Sequence, residues 1–143
     1  MECKRCAQCC TRFAVAVGYS DIMRWYKEGR YDILYNIVWH NSIHIGRGYY
    51  IESTLNIVHG KTICVFLNEN ICSIHNTKPR VCSDMPVKDD RFKFCPNWNI
   101  LENNTQYIYR EEHNDIMKAI INKDKIDKII EEARMKIIED RYA

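Results

Sequence analysis

The chain has 143 residues, of which 46% are hydrophobic and 28% charged, and its formal net charge is +2; this fits one globular domain and excludes a disordered chain or two ordinary domains. No apolar run approaches the roughly 18 residues of a membrane span, and so balanced a charge gives no electrostatic footprint for nucleic acid or a membrane surface. The first residues, Met1-Glu2-Cys3, lack a basic region followed by an apolar run, so a cytoplasmic location is expected.

Along the chain, the first element is Cys3-Lys4-Arg5-Cys6-Ala7-Gln8-Cys9-Cys10, a CxxCxxCC run. The stretch 20–28 predicts a short helix with Ser20 as N-cap and Gly29 as its stop. Apolar residues at helical spacing predict a second helix over Tyr31–Val38. Gly46-Arg47-Gly48 marks a turn, and Tyr49–Ile51 and Ile57–Val58 read as short strands. Ile63–Leu67 and Ile71–Ile74, joined by Asn68-Glu69-Asn70, predict a hairpin across which Cys64 and Cys72 could face each other. Pro79 and Pro86 flank Cys82 and keep its segment out of a long helix. Two helices follow, over Tyr107–Ile121 and Lys123–Arg141; the second carries Ile126, Ile129, Ile130, Ala133, Ile137 and Ile138 as an apolar stripe. From Arg110 onward basic and acidic residues interleave, as on a solvated helix face. The pair is expected to pack on the domain; the sharper alternative is a surface for a protein partner or a homodimer.

The chemistry rests on eight cysteines, Cys3, Cys6, Cys9, Cys10, Cys64, Cys72, Cys82 and Cys95. In a reducing compartment such clustering points to metal or redox chemistry rather than to disulfides. Eight thiolates would carry the formal charge to about −6, so nearby basic residues become local counter-charge. Two residues between cysteines let a tight turn aim both sulfurs at one centre, and three cysteines so spaced can hold three corners of a cubane cluster. Cys95-Pro96 is then a candidate for a distant fourth ligand. Adjacent Cys9 and Cys10 direct their side chains apart, so they serve different centres or one of them is not a ligand. The gaps between Cys64, Cys72 and Cys82 are too wide for a zinc knuckle and must be closed by folding. Two four-thiolate centres and one cluster with a smaller second site fit the count equally. All-thiolate ligation suits zinc and iron–sulfur alike; the short CxxCxxC run leans towards [4Fe–4S].

These motifs resemble the YkgJ-type cysteine-cluster family, a zinc- or iron-chelating domain with a CxxCxxCC signature. Its second signature is matched by Cys64-Val65-Phe66-Leu67, Cys72-Ser73-Ile74-His75, the stretch from Lys78-Pro79 through Cys82 to Pro86, and Cys95. The resemblance covers about residues 1–100. Ala7 stands where the family usually has Gly, His75 for Tyr, Lys78 and Ser83 for Arg, and Met85 for Phe. These departures leave the cysteines untouched. A similar pattern occurs in flagellin lysine-N-methylases, which are much longer.

Around the thiolates, His75, Lys78 and Arg80 are candidates to donate to sulfur or to balance its charge; Lys4 and Arg5 could do the same. Phe66, Phe92, Phe94 and Trp98 would exclude water. His40, His44, His59 and His113 have no metal-type spacing, and Asp89-Asp90 reads as a turn. No phosphate loop, dinucleotide fingerprint or nucleophile elbow occurs, and no catalytic acid, base and nucleophile set can be assembled.

The expected fold is α+β: a small single domain with a cysteine-rich metal core, a short hairpin or sheet, N-terminal helices and a C-terminal helical pair. Residues 1–100 would form the metal-binding part and 101–143 a helical extension packed on it. The expected function is a cytosolic metal-cluster protein, with one or two iron–sulfur clusters and [4Fe–4S] ahead of zinc, serving electron transfer, cluster carriage or an enzyme as accessory. The alternatives are a small modification enzyme, methylase-like, that uses the cluster, and a structural zinc module for protein–protein interaction.

Overall fold

Helix α1 (Tyr19–Lys27) shows how local chemistry and tertiary contact divide the work of placing an element. The computed structural model describes residues 15–43, 46–56, 61–68, 71–84, 98–101 and 105–142. The helix starts one residue before the expected N-cap. Gly18 caps it in extended geometry, with its N–H donated to the Asp21 carboxylate at 3.0 Å. Ser20 already lies inside the first turn, where its N–H and hydroxyl both donate to Asp115. Any Cβ at Gly18 would collide with the Asp115 carboxylate. The far end is a Schellman cap: Gly29 takes φ +70°, its N–H donates to the Tyr26 carbonyl, and the Arg30 N–H donates to Trp25 at 2.8 Å. Gly29 is therefore the stop that the sequence marks.

The expected second helix is split. Helix α2 (Tyr31–Tyr35) ends at Asn36, whose side-chain amide donates to the Asp32 carbonyl, and the chain then enters strand β2 (Ile37–Ser42). The run Ile37-Val38-Trp39 fits the apolar spacing of a helix, but β-branched and aromatic side chains suit a pleated, half-buried surface better. Strand β3 (Gly46–Ile51) pairs antiparallel with β2 from Ile37↔Ile51 to Ser42↔Gly46, and β1 (Ala16–Val17) adds on its other side through Ala16↔Tyr50 and Val17↔Tyr49. The order of this sheet is β1-β3-β2. Gly46-Arg47-Gly48 is thus strand rather than turn. Gly48 sits at φ +149°, and a Cβ there would meet Ile116 and Ile120 of a helix packed across the strand.

Two small antiparallel pairs follow. Strand β4 (Ser53–Asn56) pairs with β5 (Lys61–Cys64), and β6 (Leu67–Asn68) pairs with β7 (Ile71–Cys72). The hairpin exists, but its register differs from the expectation. Cys72 faces Leu67, while Cys64 faces Ser53 in the other pair. Ile57 and Val58 lie outside the described residues. A 3₁₀ turn (His75–Thr77) leads into the short helix α3 (Arg80–Asp84), and a second one covers Trp98–Ile100.

Helices α4 (Thr105–Ile121) and α5 (Lys123–Tyr142) agree with the expected pair to within two residues. They break at Asn122, whose side-chain amide donates to the Lys118 carbonyl at 2.7 Å and competes with helix propagation. Ile126, Ile129, Ile130 and Ala133 of α5 are all buried, and α5 packs on α2 while α4 packs on β3 and α1. The core joins these residues to Val17, Ile22, Trp25, Ile33, Leu34, Ile37, Tyr49 and Ile51. The fold is α+β, and its apolar centre draws on both ends of the described chain. Among the described residues no helix is long and apolar enough to cross a membrane.

Candidate metal centre

Three cysteines are described, and each ends or interrupts a short element. Cys64 closes β5, Cys72 closes β7 and Cys82 lies in the middle of α3. All three are half-buried, none forms a disulfide, and all pack with Phe66 against the same hydrophobic core.

Cys64 and Cys72 are tied by the backbone between them. The Phe66 carbonyl accepts both the Ser73 N–H at 2.8 Å and the Ser73 hydroxyl at 2.9 Å. The turn that follows Cys64 is thereby fastened to the residue that follows Cys72. Burial pushes the Cys64 thiol above its ordinary pKa, and the neighbouring Cys72 adds to the rise. The backbone N–H groups of Phe66 and Leu67 hydrogen-bond to the Cys64 sulfur and pull the other way. The burial prevails, so in the absence of an ion the neutral thiol is favoured, and the two amides lessen the cost of forming the thiolate that a metal needs. Sulfur donors of this kind match zinc and iron–sulfur chemistry.

The segment leading to Cys82 is held by α1. Arg24 donates through Nη2 to the carbonyls of Thr77 at 3.1 Å and Lys78 at 2.9 Å. The Trp25 indole N–H donates to the Thr77 carbonyl at 2.8 Å, and the Thr77 hydroxyl donates to Glu28 at 3.0 Å. The Asp21 carboxylate, which also takes the Gly18 N–H, accepts the Arg80 N–H at 2.9 Å. Burial pushes Asp21 above the ordinary carboxylate range; these two N–H groups and the Arg24 guanidinium oppose the rise, and Asp115 adds to it. Pro79 is fully buried, and the Ser83 N–H donates to its carbonyl at 3.0 Å as the first bond of the Cys82 turn.

The other expected residues fall as follows. His75 opens the 3₁₀ turn and is half-buried. Lys78 contributes its carbonyl to Arg24. The Arg80 guanidinium lies against carboxylates, 3.7 Å from Asp84 and 3.9 Å from Glu111. Cys3, Cys6, Cys9, Cys10 and Cys95 lie outside the described residues, as do Lys4, Arg5, Phe92, Phe94, His44, His59 and the pair Asp89-Asp90. Trp98 is half-buried in the second 3₁₀ turn. His40 stacks edge-on against Tyr50 and His113 is exposed on α4. Among the described residues no three His, Cys, Asp or Glu side chains come together as a group that could hold an ion.

Sequence reading missed Asp21, Arg24, Trp25 and Thr77 as supports of the cysteine region. One signal was available. Asp21 precedes Ile22 and stands four residues before Trp25, so it shares the helix face that must be buried.

The family model for CxxCxxCC, described as "Putative zinc- or iron-chelating domain", matches residues 2–114. No curated protein and no solved structure matches the chain.

Proposed function

Because the chain belongs to the CxxCxxCC family of zinc- or iron-chelating domains, we propose that it holds an iron–sulfur cluster, [4Fe–4S] in preference to zinc, through thiolates drawn from Cys3, Cys6, Cys9, Cys10, Cys64, Cys72, Cys82 and Cys95. The observation that carries this reading is the family match over residues 2–114 together with Cys64, Cys72 and Cys82, half-buried, outside any disulfide and packed against one core. Amide hydrogen bonds to sulfur are among the levers that set the potential of such clusters. A reducing compartment would suit thiols that form no disulfide. The role would be electron transfer, cluster carriage or service to an enzyme. When bound, the group supplies one-electron redox chemistry. The chain's own part is to hold the sulfurs, to screen them with Phe66 and to fix their spacing through α1.

The test is metal analysis of anaerobically purified full-length protein. Iron with acid-labile sulfide, and a visible absorption bleached by dithionite, is the expected result. A colourless protein with stoichiometric zinc overturns the iron–sulfur assignment and leaves chelation standing. Neither metal, in protein with intact thiols, overturns both.

A further inference from the structure

We propose that Asp21 is a positioning residue for Cys82; the inference rests on the chelating reading above. Among the described residues Asp21 is the buried charged side chain, 1% exposed. A charge taken out of water is costly unless directional partners repay it. Both of its oxygens are engaged by backbone, Oδ2 by the Gly18 N–H and Oδ1 by the Arg80 N–H. It has no free oxygen for a metal. What it does is join the start of α1 to the start of α3, two residues before Cys82.

The neighbouring turn of α1 repeats the pattern. Arg24 and Trp25 donate to the carbonyls of Thr77 and Lys78. Every one of these bonds ends on a backbone atom of residues 77–80, so together they fix the height and rotation of α3 along α1. An apolar side chain at position 21 would fill the same space but would let α3 slide, since dispersion contacts have no direction and hydrogen bonds do. Cys64 and Cys72 are fastened differently, through Phe66 and Ser73. The two tethers share no residue. Loss of Asp21 therefore displaces Cys82 and spares the other two.

The experiment titrates Co²⁺ into the reduced full-length chain and maps which cysteines become protected from alkylation. In the unmutated chain Co²⁺ protects Cys64, Cys72 and Cys82. In Asp21→Asn, where an amide NH₂ must face one of the two backbone donors, Co²⁺ affinity falls on the order of tenfold, and Cys82 loses protection while Cys64 and Cys72 keep theirs. Arg24→Gln, at a half-exposed side chain, shows the same selectivity more weakly, and it decides the question if Asp21→Asn does not fold. Asp127→Asn removes the charge that pairs with Lys123 on α5; its partners Tyr49 and Lys123 belong to neither tether, and protection is left unchanged. Unaltered Co²⁺ affinity and Cys82 protection in folded Asp21→Asn or Arg24→Gln overturns the inference. In the unmutated chain, protection of other cysteines without Cys82 overturns the inference, and protection of no cysteine overturns the chelating reading together with what rests on it.

Discussion

Ser20 and Asp115 lie 95 positions apart, yet the carboxylate of Asp115 accepts the Ser20 N–H at 2.9 Å and the Ser20 hydroxyl as well. A helix N-terminus exposes N–H groups with no partner inside the helix. Here α4 supplies the carboxylate that satisfies one of them, and the negative charge also suits the positive end of the helix dipole. Asp115→Ala removes this tertiary cap and should cost about 1–2 kcal/mol, read as a lower urea midpoint. Gly18→Ala should also destabilise, because its Cβ enters the space of that carboxylate. The two costs should not add: in the Asp115→Ala background Gly18→Ala becomes milder.

The stripe on α5 is core from Ile126 to Ala133, whereas Ile137 is half-buried and Ile138 exposed. Ile126 is fully buried, so Ile126→Ala should cost about 3 kcal/mol through lost burial and the cavity left behind. Ile121, at the end of α4, is 78% exposed, and Ile121→Ala should stay within about 0.5 kcal/mol. Denaturant unfolding of the two variants side by side checks the assignment.

Asp127 accepts the Tyr49 hydroxyl at 2.6 Å and Lys123 Nζ at 2.7 Å. Burial alone would raise this carboxyl; the bonds from Lys123 and Tyr49 outweigh it and hold the group below its ordinary pKa. Burial and the same carboxylate push the Tyr49 phenol well up, so it remains a donor. A carboxylate whose pKa is depressed by folding stabilises the protein above its unfolded pKa, near 4, and loses that contribution as pH falls through the folded value. Asp127→Asn should therefore lower stability at neutral pH and shrink the further loss on acidification. Thermal midpoints at pH 7 and at pH values below about 4 measure both; an unchanged acid slope contradicts this account.

Much of this pattern is legible in the residues alone. The helices over 105–121 and 123–142 announce themselves through a stripe long enough to be unambiguous, and Gly29 marks the end of α1 because only a left-handed residue closes that cap. The misreadings have a common cause. Ile37 and Val38 fit helix and strand spacing equally over so short a run, and pairing with β3 decides between them. Gly46 and Gly48 look like turn residues, yet Gly48 lies in mid-strand where Ile116 and Ile120 pass close above it. The metal site was legible as residue types. That Cys64 faces Ser53 rather than Cys72, and that Asp21 points inward, depends on neighbours 11 and 59 positions away in sequence, which periodicity cannot see.

Metal removal should separate the two halves of the fold. Binding that favours the folded state stabilises it by roughly 4 kcal/mol when free ligand exceeds the dissociation constant a thousandfold. Chelation should thus lower the thermal midpoint. The helical signal of α4 and α5 should survive at room temperature, because their packing on α2 and β3 rests on apolar contacts and on the Tyr49–Asp127 hydrogen bond, none of which needs an ion. A chelated protein with its midpoint unmoved would show that no resident ion contributes to stability.

The packing of α5 on α2 also bears on how the molecule can be cut. The family match stops at residue 114, whereas Asp115 and the whole of α5 come after it. A fragment trimmed at that boundary would strip the cover from Ile33, Leu34 and Ile37 and uncap α1, the strut against which Cys82 is braced. Any minimal version intended to retain the cysteine chemistry must therefore carry the last helix with it, although that helix contains no sulfur ligand.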